Sequence, residues 1–175
     1  SIEAVIQNAI DKGVPVETME RLLAMRRELK QEAAQEAFNR SMAEFQAECP
    51  IIVKSKVVRD RQGQEIYSYA PIESIVQQVS PYLQKYGFSY STSMVLRDKG
   101  VEVTCRVTHD QGHSETSVMD VPFGTKTAVM SDSQVTAAAQ TFAKRYAFCN
   151  AFGILTGGED TDSAPAREPM KPYKA

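Results

Sequence analysis

The chain has 175 residues, 42% of them hydrophobic, which is enough for one ordinary core and gives no reason to expect a second. Its formal net charge of -2 excludes the uniformly basic surface with which many proteins grip duplex nucleic acid. Three cysteines, Cys49, Cys105 and Cys149, are odd in number and form no CxxC pair, which argues against a disulfide framework or a zinc site and fits a reducing, intracellular setting.

No apolar run approaches a membrane span and no signal pattern opens the chain, so a soluble protein with no membrane partner is expected. Residues 1 to 12 read as a short amphipathic helix stopped by Gly13 and Pro15. From Glu17 to Glu48 neither Gly nor Pro intervenes, and Leu22, Met25, Leu29, Ala33, Phe38, Met42, Phe45 and Cys49 recur at steps of three to five residues. One long helix is predicted, packed across the domain or against a neighbouring copy.

Beyond Pro50 the period changes to two. Turns at Asp60-Arg61-Gln62-Gly63, Asp98-Lys99-Gly100 and Asp110-Gln111-Gly112 each supply an Asp to hold the backbone and a Gly for positive φ, and they predict hairpins. The first pairs residues 51 to 58 with 64 to 69. Pro71 then opens a helix with Ile72, Ile75, Val76, Val79, Leu83 and Tyr86 on one face, ending at Gly87; Pro81 is expected to kink it, with Ser80 capping a fresh start. Strands follow near 88 to 97, 101 to 109 and 114 to 122. In the middle one Val101, Val103, Cys105 and Val107 alternate with Glu102, Thr104, Arg106 and Thr108, so one face is buried and one is wet.

A helix capped by Ser131 or Ser133 closes the fold, with Asp132 at its positive end. Val135, Ala138, Ala139, Phe142, Tyr146 and Cys149 share a stripe that reads as core. A second stripe of Gln134, Thr141, Arg145, Phe148 and Phe152 either joins the core or meets another subunit or an elongated ligand, and Phe148 and Phe152 are assigned to an oligomer interface. The order predicts an α+β domain over residues 17–155, preceded by a short helix and linker at 1–16: a β-hairpin, a helix, a three-stranded antiparallel meander and a long C-terminal helix, with a long N-terminal helix. Residues 156–175, with Glu159, Asp160 and Asp162 and then Pro165, Pro169 and Pro172, read as an acidic and then Pro-rich flexible tail.

Candidate binding residues cluster by charge and aromaticity. Lys54 and Lys56 alternate onto one strand face about 6.6 Å apart, a stride that suits adjacent phosphates of an extended single strand, and Arg59 and Arg61 continue the charge into the turn. Lysines alone read more readily as protection of a sheet edge. Tyr67 and Tyr69 on the paired strand add stacking candidates, and Arg97, Lys99, Arg106, Lys126, Lys144 and Arg145 add cations. Lys144 and Arg145 point in different directions on the helix. Signs of catalysis are sparse. His109 and His113 flank a turn, Gly124-Thr125-Lys126-Thr127 lacks the glycines of a phosphate loop, and a floppy tail is the commoner meaning of the acids. No catalytic residue, metal site or cofactor is predicted.

The block QTFAKRYAFCNAFGILTGGEDTD, with Gln134-Val135-Thr136-Ala137-Ala138 before it and YSYAPIESIVQQVSPYLQKYGFSYS upstream, resembles the signature of the ERF family, the essential recombination function proteins of bacteriophages. The resemblance covers about residues 35 to 162. It implies a protein that binds single-stranded DNA in homologous recombination and repair, pairs complementary strands without ATP, and works as a ring or helical homo-oligomer in the cytoplasm of a bacterial host cell. It also implies a β-β-β-α core over residues 88 to 150, a match of Lys144, Arg145 and Tyr146 to the family's basic-aromatic pair, and of Tyr69 to the aromatic before its first core helix. The chain departs from the pattern at Phe142, where Tyr is frequent, and at Ala137, where Gly is common. Two other readings stand beside it: an interaction scaffold that touches no nucleic acid, and a metal-dependent nuclease using the acidic cluster. The tail is a candidate contact for a single-strand-binding protein.

Overall fold

The computed structural model describes residues 1–126 and 130–156. The predicted tail beyond Thr156, with its acids and prolines, and Thr127 of the Gly124 segment lie outside the described residues. In chain order the elements are α1 (Ile2–Asp11), α2 (Val16–Glu48), β1 (Lys56–Arg59), β2 (Glu65–Tyr69), α3 (Ile72–Lys85), β3 (Phe88–Arg97), β4 (Gly100–His109), β5 (Ser114–Pro122) and α4 (Asp132–Phe152). Strands β1 and β2 form a two-stranded antiparallel sheet, and β3-β4-β5 form a separate three-stranded antiparallel one. The predicted α+β class, meander and long helices are all present.

Register divides the meander into two faces. Val101, Val103, Cys105 and Val107 of β4 are no more than 1% exposed and face the core. Their partners on the same side include Leu96, Met94 and Tyr90 of β3 and Val121 and Met119 of β5. Helix α4 packs on this inner face against β4 and β5. Ala139, Ala143 and Ala147 recur every fourth residue and are buried, so their small side chains let the helix backbone approach the sheet closely. The opposite face exposes Ser91, Ser93, Val95, Arg106, Thr116 and Val118.

Phe38 and Phe45 of α2 close one end of the sheet. The Phe38 ring stands 5.4 Å from Phe88 and 5.0 Å from His113, both edge-on, and His109 Nε2 lies 3.0 Å from the Ser41 hydroxyl. His109 Nδ1 lies 3.3 Å from Gln111 N and 3.4 Å from Asp110 Oδ1, so the ring is held by its own turn on one side and by α2 on the other. The first half of α2 stands off this core. Met25 and Leu29, predicted on its buried stripe, are 50% and 46% exposed, and this half pairs with α1 as an antiparallel helical arm tied by Glu3–Arg26.

Local chemistry explains the boundaries. Asp60 Oδ1 accepts from Gln62 N–H at 2.8 Å and Gln64 N–H at 2.9 Å, which tightens the β1–β2 turn around Gly63. Ser131 and Gln134 form a reciprocal capping box at the start of α4. Its far end stops at Gly153, with φ 65°, where a Cβ would meet the Gln46 amide nitrogen at 2.7 Å. That amide donates to the Phe152 carbonyl at 3.2 Å, so the left-handed turn favours glycine and a Cβ there would push the Gln46 amide off this bond.

Four expectations are corrected. Ser80 caps no fresh start at Pro81, because α3 continues as one helix through that proline and the Ser80 hydroxyl donates to the Val76 carbonyl at 2.6 Å. β1 begins at Lys56, not at 51, because Ile52 is fully buried and pairs with Thr156 instead. The core stripe of α4 is rotated from the predicted one: Ala143 and Ala147 are in it, Ala138 is exposed, and Phe142 and Tyr146 are only half-buried. Phe148 and Phe152 are 0% exposed; each ring packs within the same chain, Phe148 against Tyr90 at 4.7 Å and Phe152 against Phe45 at 5.6 Å. Both belong to the core and present no surface to a second copy.

Candidate nucleic-acid interface

A concave site opens where the β1–β2 hairpin meets the C-terminal half of α4. Non-local pairing builds it: the chain leaving α2 runs beside the chain leaving α4, with Ile52 N–H donating to the Leu155 carbonyl at 3.0 Å. Ser55 N–H then donates to the Tyr69 carbonyl at 3.2 Å and hands the chain over to the hairpin. Between these supports lies a cavity of about 230 Å³ lined by Lys54, Tyr69, Arg145, Tyr146, Asn150 and Thr156, among others. Small-molecule pockets usually occupy roughly 300–1,000 Å³, so this is a depression along a surface and not an enclosed cofactor site.

Arg145 stands at its centre. The guanidinium carbon is 5.1 Å from the Tyr69 ring centroid, 5.2 Å from Tyr146 and 5.5 Å from Phe142. Phe142 and Tyr146 lie one turn apart, with ring centroids at 4.4 Å and planes inclined by 34°, and helical spacing sets Arg145 against Phe142 at i+3, from where its long side chain also reaches the ring of its neighbour Tyr146. Strand alternation supplies the third. Tyr67 and Tyr69 share one face of β2 with centroids 6.1 Å apart, and across the ladder their partners are Val58 and Lys56. Lys54, two residues before Lys56, reaches the cavity.

The result is an alternation of cations and ring faces around an open depression. Cations so placed attract phosphates, and rings so placed offer planes on which bases stack whatever their sequence. A guanidinium held among rings also keeps a fixed plane, which a lysine ammonium would not.

The other predicted cations are distributed elsewhere. Arg59 and Arg61 are exposed at the hairpin's far end, where Arg59 Nη1 donates to the Gly63 carbonyl at 3.1 Å. Arg97 and Arg106 are on the outer face of the meander, across the sheet from α4, and Arg97 is bridged to Glu102 at 2.5 Å. Lys99 is exposed in the β3–β4 turn. Lys126 pairs with Asp132 at 2.8 Å beside the start of α4, roughly 20 Å along the helix from Arg145 at the ordinary helical rise. Lys144 is exposed, while Arg145 is half-buried. The structure therefore brings Lys54, Lys56, Tyr67, Tyr69 and Arg145 together and leaves the rest outside that group.

Phe142 and Tyr146 enter the site although their spacing assigned them to the core, and Asn150 and Thr156 were not singled out. The signal for the first pair was present: two aromatics one turn apart with an arginine between them. Nothing local announced Thr156, whose place depends on its bridge to Ile52. Burial pushes the Cys105 thiol up to about 11 and raises that of Cys49, which leaves both mostly as thiols at neutral pH. Among the described residues no three His, Cys, Asp or Glu side chains group to hold a metal ion. No helix among them is long and apolar enough to cross a membrane.

Comparison with known families matches residues 38–174 to the ERF superfamily. No curated protein and no solved structure matches the chain. The matched span begins inside α2, so the α1–α2 arm precedes it.

Proposed function

The chain belongs to the ERF superfamily, which has a general role in recombination and strand annealing, and from that premise we propose that it binds single-stranded DNA at the hairpin–α4 site and anneals complementary strands without ATP. The observation that carries this reading is Arg145 held among Tyr69, Phe142 and Tyr146, with Lys54 at the same cavity. Annealing needs a surface that holds the backbone and leaves base edges accessible. Cations that take phosphates and rings that stack base faces meet that need, because neither occupies the Watson–Crick edge.

Lys56 extends the cationic line from Lys54 along the hairpin, and Tyr67 extends the stacking surface from Tyr69. Arg59 and Arg61 lie farther along the same hairpin and act as peripheral phosphate contacts. In this reading the working form is a homo-oligomer, because a strand longer than one site must be held by successive copies. No step requires hydrolysis or a bound cofactor.

The test is annealing of two complementary oligonucleotides in EDTA without nucleotide. The wild-type chain should accelerate duplex formation well above the spontaneous rate, and Arg145→Ala should lose most of that acceleration. A chain that shortens DNA on addition of a divalent ion would support the nuclease reading instead. One that neither binds nor anneals would support the scaffold.

A further inference from the structure

The three-stranded sheet has two open edges. Among the described residues, no backbone hydrogen bond reaches the outer side of β3 between Ser89 and Arg97 or of β5 between Glu115 and Pro122. β3 is the less guarded. It pairs with β4 over ten residues without a bulge, and from Ser89 to Leu96 it has no charge and no proline. Val95 and Leu96 are 48% and 60% exposed on its two faces. Long, regular edges of this kind are templates for strand addition unless something covers them.

The two edges match each other. Face parity puts Val95 and Arg97 on the outer face of β3, and Val118 and Asp120 on the outer face of β5. A single parallel register therefore sets Val95 beside Val118, Leu96 beside Met119 and Arg97 beside Asp120. Val118 is 54% exposed, so the first pair joins two uncovered apolar side chains. Arg97 already holds Glu102 of its own chain, and a guanidinium with five donors can take a second carboxylate. Pairing like edges offers no such match: β3 on β3 leaves Arg97 without a new acid, and β5 on β5 brings together strands whose only charges are Glu115 and Asp120.

We propose that copies of this chain join head to tail by adding β3 of one onto β5 of the next, so that the sheet runs on from subunit to subunit. Such a heterologous contact repeats, closing into a ring or continuing as a helix. It rests on the self-assembly in the function proposed above and supplies the contact surface that Phe148 and Phe152 cannot. It also turns the inner face, with α4, to the same side in every copy, which sets the hairpin–α4 sites in a row for one continuous strand.

Two measurements test it. Val95→Cys and Val118→Cys chains, one isotopically labelled, are mixed under mild oxidation with single-stranded DNA, and cross-linked peptides are identified by mass spectrometry. The expected product is a disulfide between residue 95 of one chain and residue 118 of the other; linkage of 95 to 95 alone, or no linkage in a sample that sediments as an oligomer, overturns the proposal. In parallel, a Val95→Lys, Leu96→Lys chain with unchanged circular dichroism should sediment as a monomer and keep its affinity for a short oligonucleotide within about threefold. If it assembles like the wild type, the edge contact fails while self-assembly stands; if the wild type itself stays monomeric with DNA, both fail, and the binding site is judged separately.

Discussion

Helix α4 carries aromatic side chains to two fates. Phe148 and Phe152 are enclosed by Tyr90, Phe88 and Phe45, with no surface left exposed, whereas Phe142 and Tyr146, on another side of the same helix, stand half-exposed around Arg145. The difference comes from what the rest of the chain brings to each side. Strand β3 and the second half of α2 cover the first side completely. Among the described residues the second faces the two-stranded hairpin, which leaves an open depression with Lys54 at its rim. Similar rings thus stabilise the fold on one side and offer stacking planes on the other.

The sharpest way to break this comparison is to truncate one ring on each side. Phe152→Ala should cost about 3–5 kcal/mol of stability, as buried aromatics do, read as a large fall in the urea midpoint, with the remaining folded protein still binding DNA. A melt that hardly moves would return Phe152 to the surface. On the open side, Arg145→Ala should lower the urea midpoint much less than Phe152→Ala and weaken single-strand binding by about 1–3 kcal/mol, the range for losing a stacking or cation–π position. Arg145→Lys should fall between, since it keeps the charge and loses the plane. Arg97→Ala, on the outer sheet face, should leave binding of a short oligonucleotide within about twofold, because that side chain already bridges Glu102 in water.

The strands and their turns are legible in the sequence because period-two alternation and Asp–Gly turns are local signals. β4 shows this best: Val101, Val103, Cys105 and Val107 name their own face. The long helices are legible for the same reason. Less legible is which side of a helix is covered, since α4 has apolar or aromatic residues nearly all round and its covering is set by β3 and α2, distant in sequence. Alanines at 139, 143 and 147 hide the true core face, because small residues mark close approach only once the approaching sheet is known. In the site, Lys54, Lys56, Tyr67 and Tyr69 could be grouped through hairpin register. Their meeting with Arg145 depends on the Ile52–Thr156 bridge, which no local pattern encodes.

Smaller effects sharpen the account further. Lys54→Ala with Lys56→Ala should flatten the dependence of log affinity on log salt by about 1.4, at roughly 0.7 per phosphate contact on a single strand; an unchanged slope would remove the hairpin from the interface. The smallest effect concerns the joint between α2 and α3. Hydrogen bonds from Lys85 and then Tyr86 hold the Glu48 carboxyl below its ordinary range. A carboxylate with a lowered folded-state pKa stabilises fully above its unfolded value, and the contribution fades as pH falls through the folded one. Between about pH 6 and pH 3, Glu48→Gln should therefore show a slightly shallower loss of urea stability than the wild type, and identical slopes would dismiss the clamp.

The claim that the hairpin–α4 depression holds the strand is tested most directly by photocross-linking a bromouracil-containing single strand to the wild-type chain and mapping the attached peptides. The account predicts adducts on Tyr67 or Tyr69 of β2 and on Phe142 or Tyr146 of α4. Adducts confined to the meander's outer face or to the α1–α2 arm, with none on those four rings, would contradict it.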